Sequence, residues 1–192
     1  MSKDRSKIIL VIGVLLIAAS IVLYLKPWQM LMDEETKAWR LTLVGKDGTE
    51  KILSVKEITS LPSYRGNGGF FSTVGVICGP YEYTGVTLEE LGRQVGGIDP
   101  GDAVMVSAKD GYSAVLSYEQ VMGEFITYDT DLREVPHGEL KTVLIYREGR
   151  RPLPHEAGKP LRLAIIGPGK GLLTEGSHWV KWINRVEILK RQ

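Results

Sequence analysis

Residues Arg150–Ile188 read RRPLPHEAGKPLRLAIIGPGKGLLTEGSHWVKWINRVEI, and the fold turns on how that stretch is divided. Pro152, Pro154 and His155 crowd a turn. Leu161–Ile166 is a short apolar strand with Arg162 inside it. Gly167–Gly171 is a glycine loop carrying Lys170, and a last strand is predicted to begin at Trp179-Val180-Lys181-Trp182. Alternation with period two puts Val180, Trp182, Val186 and Ile188 on one face of it and Lys181, Arg185 and Glu187 on the other. Backbone N–H groups in a glycine loop form a concave anion nest, and Lys or Arg heads add charge. The combination suits an anionic group carrying a flat ring. As a local motif alone, Gly167–Gly171 also reads as an ordinary surface turn.

Working outward, the 192 residues suit one domain plus an appendage. A hydrophobic share of 43% and a charged share of 24% are those of a globular protein. A formal net charge of +1 argues against a general nucleic-acid binder, which would carry a basic excess or stripe. Cys78 is the only cysteine, so no intramolecular disulfide exists and the fold stands on its core.

The appendage is the apolar run Ile8–Leu25. At 1.5 Å per residue a helix of that length covers about 27 Å, close to the ~30 Å hydrocarbon core of a bilayer. Lys7 and Lys26 can snorkel to the two interfaces, and Tyr24 and Trp28 suit the aromatic belt. Lys3, Arg5 and Lys7 outweigh Asp4, which predicts residues 1–7 in the cytoplasm and everything after the span outside. A cleaved signal peptide is the rival, with Ala18-Ala19-Ser20 as small residues; the apolar run continues through Ile21–Leu25, which favours an uncleaved anchor. Residues 26–37 read as a solvated linker with Asp33, Glu34 and Glu35, and 38–190 as the domain.

Within the domain, Trp39, Leu41 and Leu43 alternate with polar residues as a half-buried strand. Lys46-Asp47-Gly48 turns it into a second strand, Glu50–Leu53. Ser54 with Glu57, Thr87 with Glu90 and Ser117 with Gln120 are capping boxes that predict three short helices, the second running to about Val95. Arg65–Gly69, with three glycines and Asn67, is predicted as a loop, and Phe70–Cys78 as a strand closed by Gly79-Pro80. Ala103–Ser107 and Ser113–Leu116 pair about Lys109-Asp110-Gly111. Glu124–Gly138 is predicted as a long loop and Leu140–Tyr146 as a strand. Short strands outnumber brief interposed helices, so the fold class is α+β, dominated by mixed sheet.

Several of these pieces occur in the order found in a known family. Tyr83-Thr84-Gly85-Val86-Thr87-Leu88-Glu89-Glu90-Leu91 resembles the aromatic-x-Gly-x-x-Leu-x-x-Leu segment of the sulfite oxidase-type molybdopterin-binding domain. Ser107–Tyr112 is similar to the hairpin that follows it. Gly149–Pro154 resembles Gly-x-Pro-Leu-Pro with one extra residue, Gly158–Arg162 resembles Gly-x-Pro-x-Arg, and Val180–Ile183 resembles a closing Val-Lys-Trp-Leu. The likeness covers about Ala38–Leu189. It implies a molybdenum–molybdopterin cofactor, with one cysteine thiolate on the metal and basic residues on the pterin phosphate. Position by position, Arg162 and Lys181 fall on cofactor-contacting residues; Arg offers a planar fork and Lys a compact charge. A strand Arg or Lys is otherwise a solvated face or surface ion pair.

The departures are specific. The family histidine before Gly-x-Pro-x-Arg is Ala157 here, with His155 two residues earlier. His178 and Trp179 stand where an arginine and a small polar residue precede Val-Lys-Trp, and the longer loop between Arg162 and Lys181 carries Lys170, so the resemblance implies Lys170, His155 and His178 beside Arg162 and Lys181 as cofactor contacts. For the metal ligand two alignments compete. Cys78 ends a predicted strand before Gly79, whereas Gly66-Asn67 resembles the family's Gly-Asn with Arg65 in place of the cysteine. A lone cysteine is otherwise a small buried hydrophobe; a soft thiolate suits a transition metal.

Other site types lack their sequence signatures. His137, His155 and His178 lack zinc-ligand spacing, there is no Gly-x-Ser-x-Gly elbow, and the glycine loop is not a Walker A sequence. The expectation is therefore a membrane-anchored, extracytoplasmic redox domain acting on a small oxyanion or sulfoxide-like substrate with a membrane redox partner. The alternatives are a ligand-binding or scaffold module that kept the fold, lost the metal and works without the haem and dimerisation domains of larger members, or a sensor or assembly partner of another membrane protein.

Overall fold

Leu41 and Leu43 are buried, and they start a five-stranded sheet in the order β2-β1-β13-β5-β6. Its strands are β1 (Arg40–Val44), β2 (Glu50–Ser54), β5 (Ala103–Ala108), β6 (Ser113–Ser117) and β13 (Ile183–Leu189). β1 and β13 run parallel and the other pairs antiparallel, so the sheet is mixed as expected. The computed structural model describes residues 34–190. The predicted anchor 8–25 and its cytoplasmic lead lie outside those residues, and among those described no helix is long and apolar enough to cross a membrane. Residues 34–38 are helical and belong to a unit separate from the domain that starts at Trp39.

All three predicted helix starts are present. Ser54 opens α1 (Val55–Ser60), Thr87 opens α2 (Leu88–Arg93) and Ser117 opens α3 (Tyr118–Met122), each side chain accepting the backbone N–H three residues on. The reciprocal bond that completes the box is made by Glu57 and by Gln120. Replacing Ser54 with alanine removes the hydroxyl that caps the Glu57 N–H and leaves only the Ser54 backbone N–H donating to the Glu57 carboxylate. It is expected to lower stability by about 1 kcal/mol, measured as a shift in urea midpoint at constant slope.

The second sheet has eight strands and carries the candidate site. Its order is β10 (Arg151–Pro152), β9 (Lys141–Glu148), β4 (Ile77–Thr87), β3 (Tyr64–Phe71), β12 (Leu173–Glu175), β7 (Thr127–Tyr128) and β8 (Glu134–Val135), with β11 (Arg162–Ile166) also pairing β9. Alternation along β9 divides the core. Leu144 and Tyr146 join the larger cluster with Leu41, Ile58, Leu91 and Val186, while Val143 and Ile145 join a second with Tyr83, Ile166 and Trp179.

Four expectations are corrected here. Arg65–Gly69 is not a loop but the middle of β3, because the glycines let its backbone lie directly on β11. A Cβ on Gly66 would stand 2.8 Å from the Gly167 carbonyl oxygen, and one on Gly68 would fall on that of Ile165. Phe70–Cys78 is not one strand: a turn at 72–76, with Gly75 N–H donating to Ser72 O at 2.9 Å, folds it into a hairpin, and Gly79-Pro80 lies inside β4. Glu124–Gly138 contains the small strands β7 and β8. The last strand begins at Ile183, not Trp179. Trp182 sits in the left-handed region at φ 53°, and a bulge between Ile183 and Arg185 breaks the predicted alternation.

Candidate functional site

Arg162 lies in a strand buried throughout, and its own residue is only 5% exposed. Its guanidinium stands 4.6 Å from the Phe70 ring centroid and 5.3 Å from that of Trp179. Those rings are 5.1 Å apart, and Tyr83 meets Trp179 edge-on at 5.7 Å. One guanidinium nitrogen donates to Ala157 O at 3.3 Å, and Nε has no partner. No carboxylate pairs with Arg162 among the described residues. Burial pushes its pKa down from the ordinary arginine value, opposed by Tyr83, Cys78 and Glu148. Burial likewise raises the Tyr83 phenol well above its usual value. A buried cation without a counter-ion is costly, and aromatic faces offset only part of that.

Lys181 reaches the same turn from the other side. Leu163 N–H donates to Val180 O at 2.8 Å and Ile183 N–H to Leu161 O at 3.1 Å, so segment 180–183 is pinned along β11. The Lys181 ammonium donates to Glu156 O at 2.6 Å, next to the carbonyl that Arg162 uses. Gly158 is required beside it: its φ is 105°, and a Cβ there would stand 2.9 Å from the Lys181 Cβ. The two basic heads predicted to act together therefore close on consecutive carbonyls of one turn. His155, in that turn, faces the Trp182 ring at 6.1 Å, whose Nε1 is buried without a partner.

The other predicted residues are dispersed. Cys78 is exposed on β4 across from Phe70. Lys170 is exposed in the glycine turn, whose first residue, Gly167, exchanges two backbone bonds with Asn67 at 2.7 and 3.0 Å. Gly167 therefore donates to β3 and not to a ligand. His178 contacts Gln120 at 3.4 Å and Phe125 at 5.3 Å, and lines a cavity of about 280 Å³ with Glu124, Ile126 and Glu175. A neighbouring cavity of about 410 Å³ is lined by Phe125, Glu134 and His137. Neither cavity includes Arg162, Lys181 or Cys78. Among the described residues no group of three or more His, Cys, Asp or Glu is arranged to hold a metal ion.

Sequence reasoning missed the aromatic enclosure of Arg162. Trp179 reads in sequence as a strand residue, and Phe70 follows glycines whose composition reads as a loop.

The sequence profile of the oxidoreductase molybdopterin binding domain matches residues 28–192. The chain belongs to that family. The molybdopterin-binding-type domain is also similar to a solved structure, the sulfane dehydrogenase SoxCD from Paracoccus pantotrophus. The TM-score is 0.62 at 19% identity, over 80% of this chain and 39% of that chain. At that identity the likeness is one of fold, and the present chain spans well under half of that enzyme. No curated protein matches the chain. The sheet-rich mixed α+β architecture expected from the sequence is thus the family's own.

Proposed function

We propose that the domain binds the phosphate-bearing pterin of molybdopterin with Arg162 as its buried anchor, and serves an extracytoplasmic redox reaction of a small oxyanion or sulfoxide-like substrate. One observation carries this reading: a guanidinium buried to 5% exposure, stacked on two aromatic rings, with an unbonded Nε and no acidic partner among the described residues. Such a donor fits an anion, because a phosphate would neutralise the buried charge with charge-assisted hydrogen bonds. Phe70, Trp179 and Tyr83 add flat apolar surface beside it. Cys78 is the chain's one thiol, soft and solvent-accessible. When bound, molybdenum would supply two-electron exchange with the substrate.

In this reading each residue has a limited task. Arg162 neutralises the anion, Phe70 and Trp179 keep water from the guanidinium, and Lys181 holds the Glu156–Gly158 turn against β11. Cys78 offers the thiolate. The anchor at 8–25 keeps the domain at the outer face of a membrane, within reach of a membrane redox partner. A second reading is favoured by the Lys181 ammonium, whose observed bond goes to the Glu156 carbonyl: a module that keeps the fold and the buried Arg162 anchor without the metal.

Metal and pterin analysis of the full chain from a host that makes the cofactor separates the two. The redox reading expects about one molybdenum and one pterin per chain, with the Cys78→Ser chain losing molybdenum but keeping pterin. Pterin without molybdenum in the parent chain would favour the second reading. Neither in intact protein would reject both.

A further inference from the structure

The hairpin between β3 and β4 has a surface unlike the rest of the domain. No charged residue occurs between Arg65 and Glu82, in a chain of which 24% is charged. At its tip Val74 is 82% exposed, Val76 59% and Ile77 36%. The tip stands clear of the domain: a Cβ on Gly75 would meet nothing within 4 Å. Its base is fixed, with the Phe71 ring edge-on to Tyr128 at 5.1 Å and Ser72 bonded to Val76 through both main chain and side chain. The other exposed large apolar side chains are Ile52, Tyr81, Tyr112, Val115, Ile126 and Leu132. In sequence, Ile52, Tyr81, Tyr112, Ile126 and Leu132 each lie within two residues of a charged residue, and Val115 is flanked by Ser113 and Ser117. Contiguous exposed apolar surface marks contact with a partner or a membrane.

The sequence outside the described residues favours the membrane. Ile8–Leu25 is long and apolar enough to span one. Segment 26–38, even fully extended, covers only about 45 Å. A domain of this size has a radius of gyration of about 15 Å, or a diameter near 40 Å. A tether of that length keeps the domain within reach of the bilayer. Orientation then falls to the surface that gains most from the headgroup–acyl boundary, and the uncharged Val74–Ile77 tip is that surface.

We propose that the Val74–Ile77 hairpin tip inserts into the interfacial layer of the bilayer that anchors the chain. This rests on the membrane reading above, but not on the cofactor. Val74→Cys in a Cys78→Ser chain gives one labelling site at the tip, and Thr49→Cys in the same background gives a control on an exposed turn. Both full-length chains, carrying a polarity-sensitive fluorophore, are reconstituted in phosphatidylcholine vesicles. Quenching is compared for aqueous iodide and for a shallow spin-labelled lipid. The tip probe should be quenched by the lipid and show about fivefold weaker iodide quenching than the control, as for a group about 5–10 Å into the boundary. Adding Val76→Asp should return it to water. Iodide quenching equal to the control overturns the proposal. Protection from iodide without lipid quenching also overturns it, and points to a protein partner. A chain that fails to float with vesicles ends the anchor reading and this proposal together.

Discussion

Replacing Gly68 with alanine is expected to cost about 3 kcal/mol of folding free energy or more, among the largest effects of any single methyl in this domain. The added carbon would fall on the Ile165 carbonyl oxygen and press Ile166 Cγ2 at 3.0 Å. Neither neighbour can retreat. Ile165 is paired to Thr142 of β9, while Leu163, further along β11, bonds to Val180 on the other side. β3 is tied on its own flanks to β4 and β12, and Asn67 is bridged to Gly167. Gly138→Ala is the control, since that position has open space and no positive φ; its effect should stay within about 0.5 kcal/mol. Urea unfolding of both full-length chains in detergent, followed by tryptophan fluorescence, makes the comparison. A Gly68→Ala chain as stable as its parent would mean that β3 does not cross β11 at backbone contact.

The same crossing explains what the sequence shows and what it hides. Capping boxes are local: Ser54 with Glu57 and Ser117 with Gln120 specify helix starts within four residues, and both are made. The Lys109-Asp110-Gly111 turn is local too, and its flanking strands pair as expected. Three glycines around Asn67 carry a local signal for a loop, and that signal loses to a long-range demand. They are glycines because another strand lies against them, which composition within a short window cannot reveal. Trp182 fails for a related reason. Its alternation with Val180 and Val186 is sound in the sequence, but the bulge after Ile183 and the left-handed backbone at Trp182 shift the register. Arg162 is legible as a strand cation; its aromatic enclosure is not, because Phe70 comes from β3, which lies against β11, and Trp179 follows the turn after β12.

Arg162→Met should leave the cofactor-free chain within about 1 kcal/mol of its parent while abolishing its response to phosphate-bearing anions. Exchanging a buried charge for an apolar side chain of similar length is often neutral or stabilising, because the desolvation cost goes with the charge. What is lost is the bond to Ala157 O and the stacking on Phe70 and Trp179, worth about 1–2 kcal/mol together at a buried site. The two terms nearly cancel. Binding does not cancel, since charge-assisted hydrogen bonds to an anion contribute about 1.5–3 kcal/mol each and methionine can make none. Thermal unfolding with and without inorganic pyrophosphate reads both effects. At a concentration a hundredfold above its Kd, the anion stabilises the parent by about 2.7 kcal/mol, and it should leave the methionine variant unmoved. Arg162→Lys keeps the charge, loses the planar fork and should fall between them. If methionine instead unfolds the anion-free chain, Arg162 is a structural pillar whose stacking outweighs its desolvation. If pyrophosphate stabilises parent and variant alike, the anion sits elsewhere on the domain and the buried guanidinium is not its anchor.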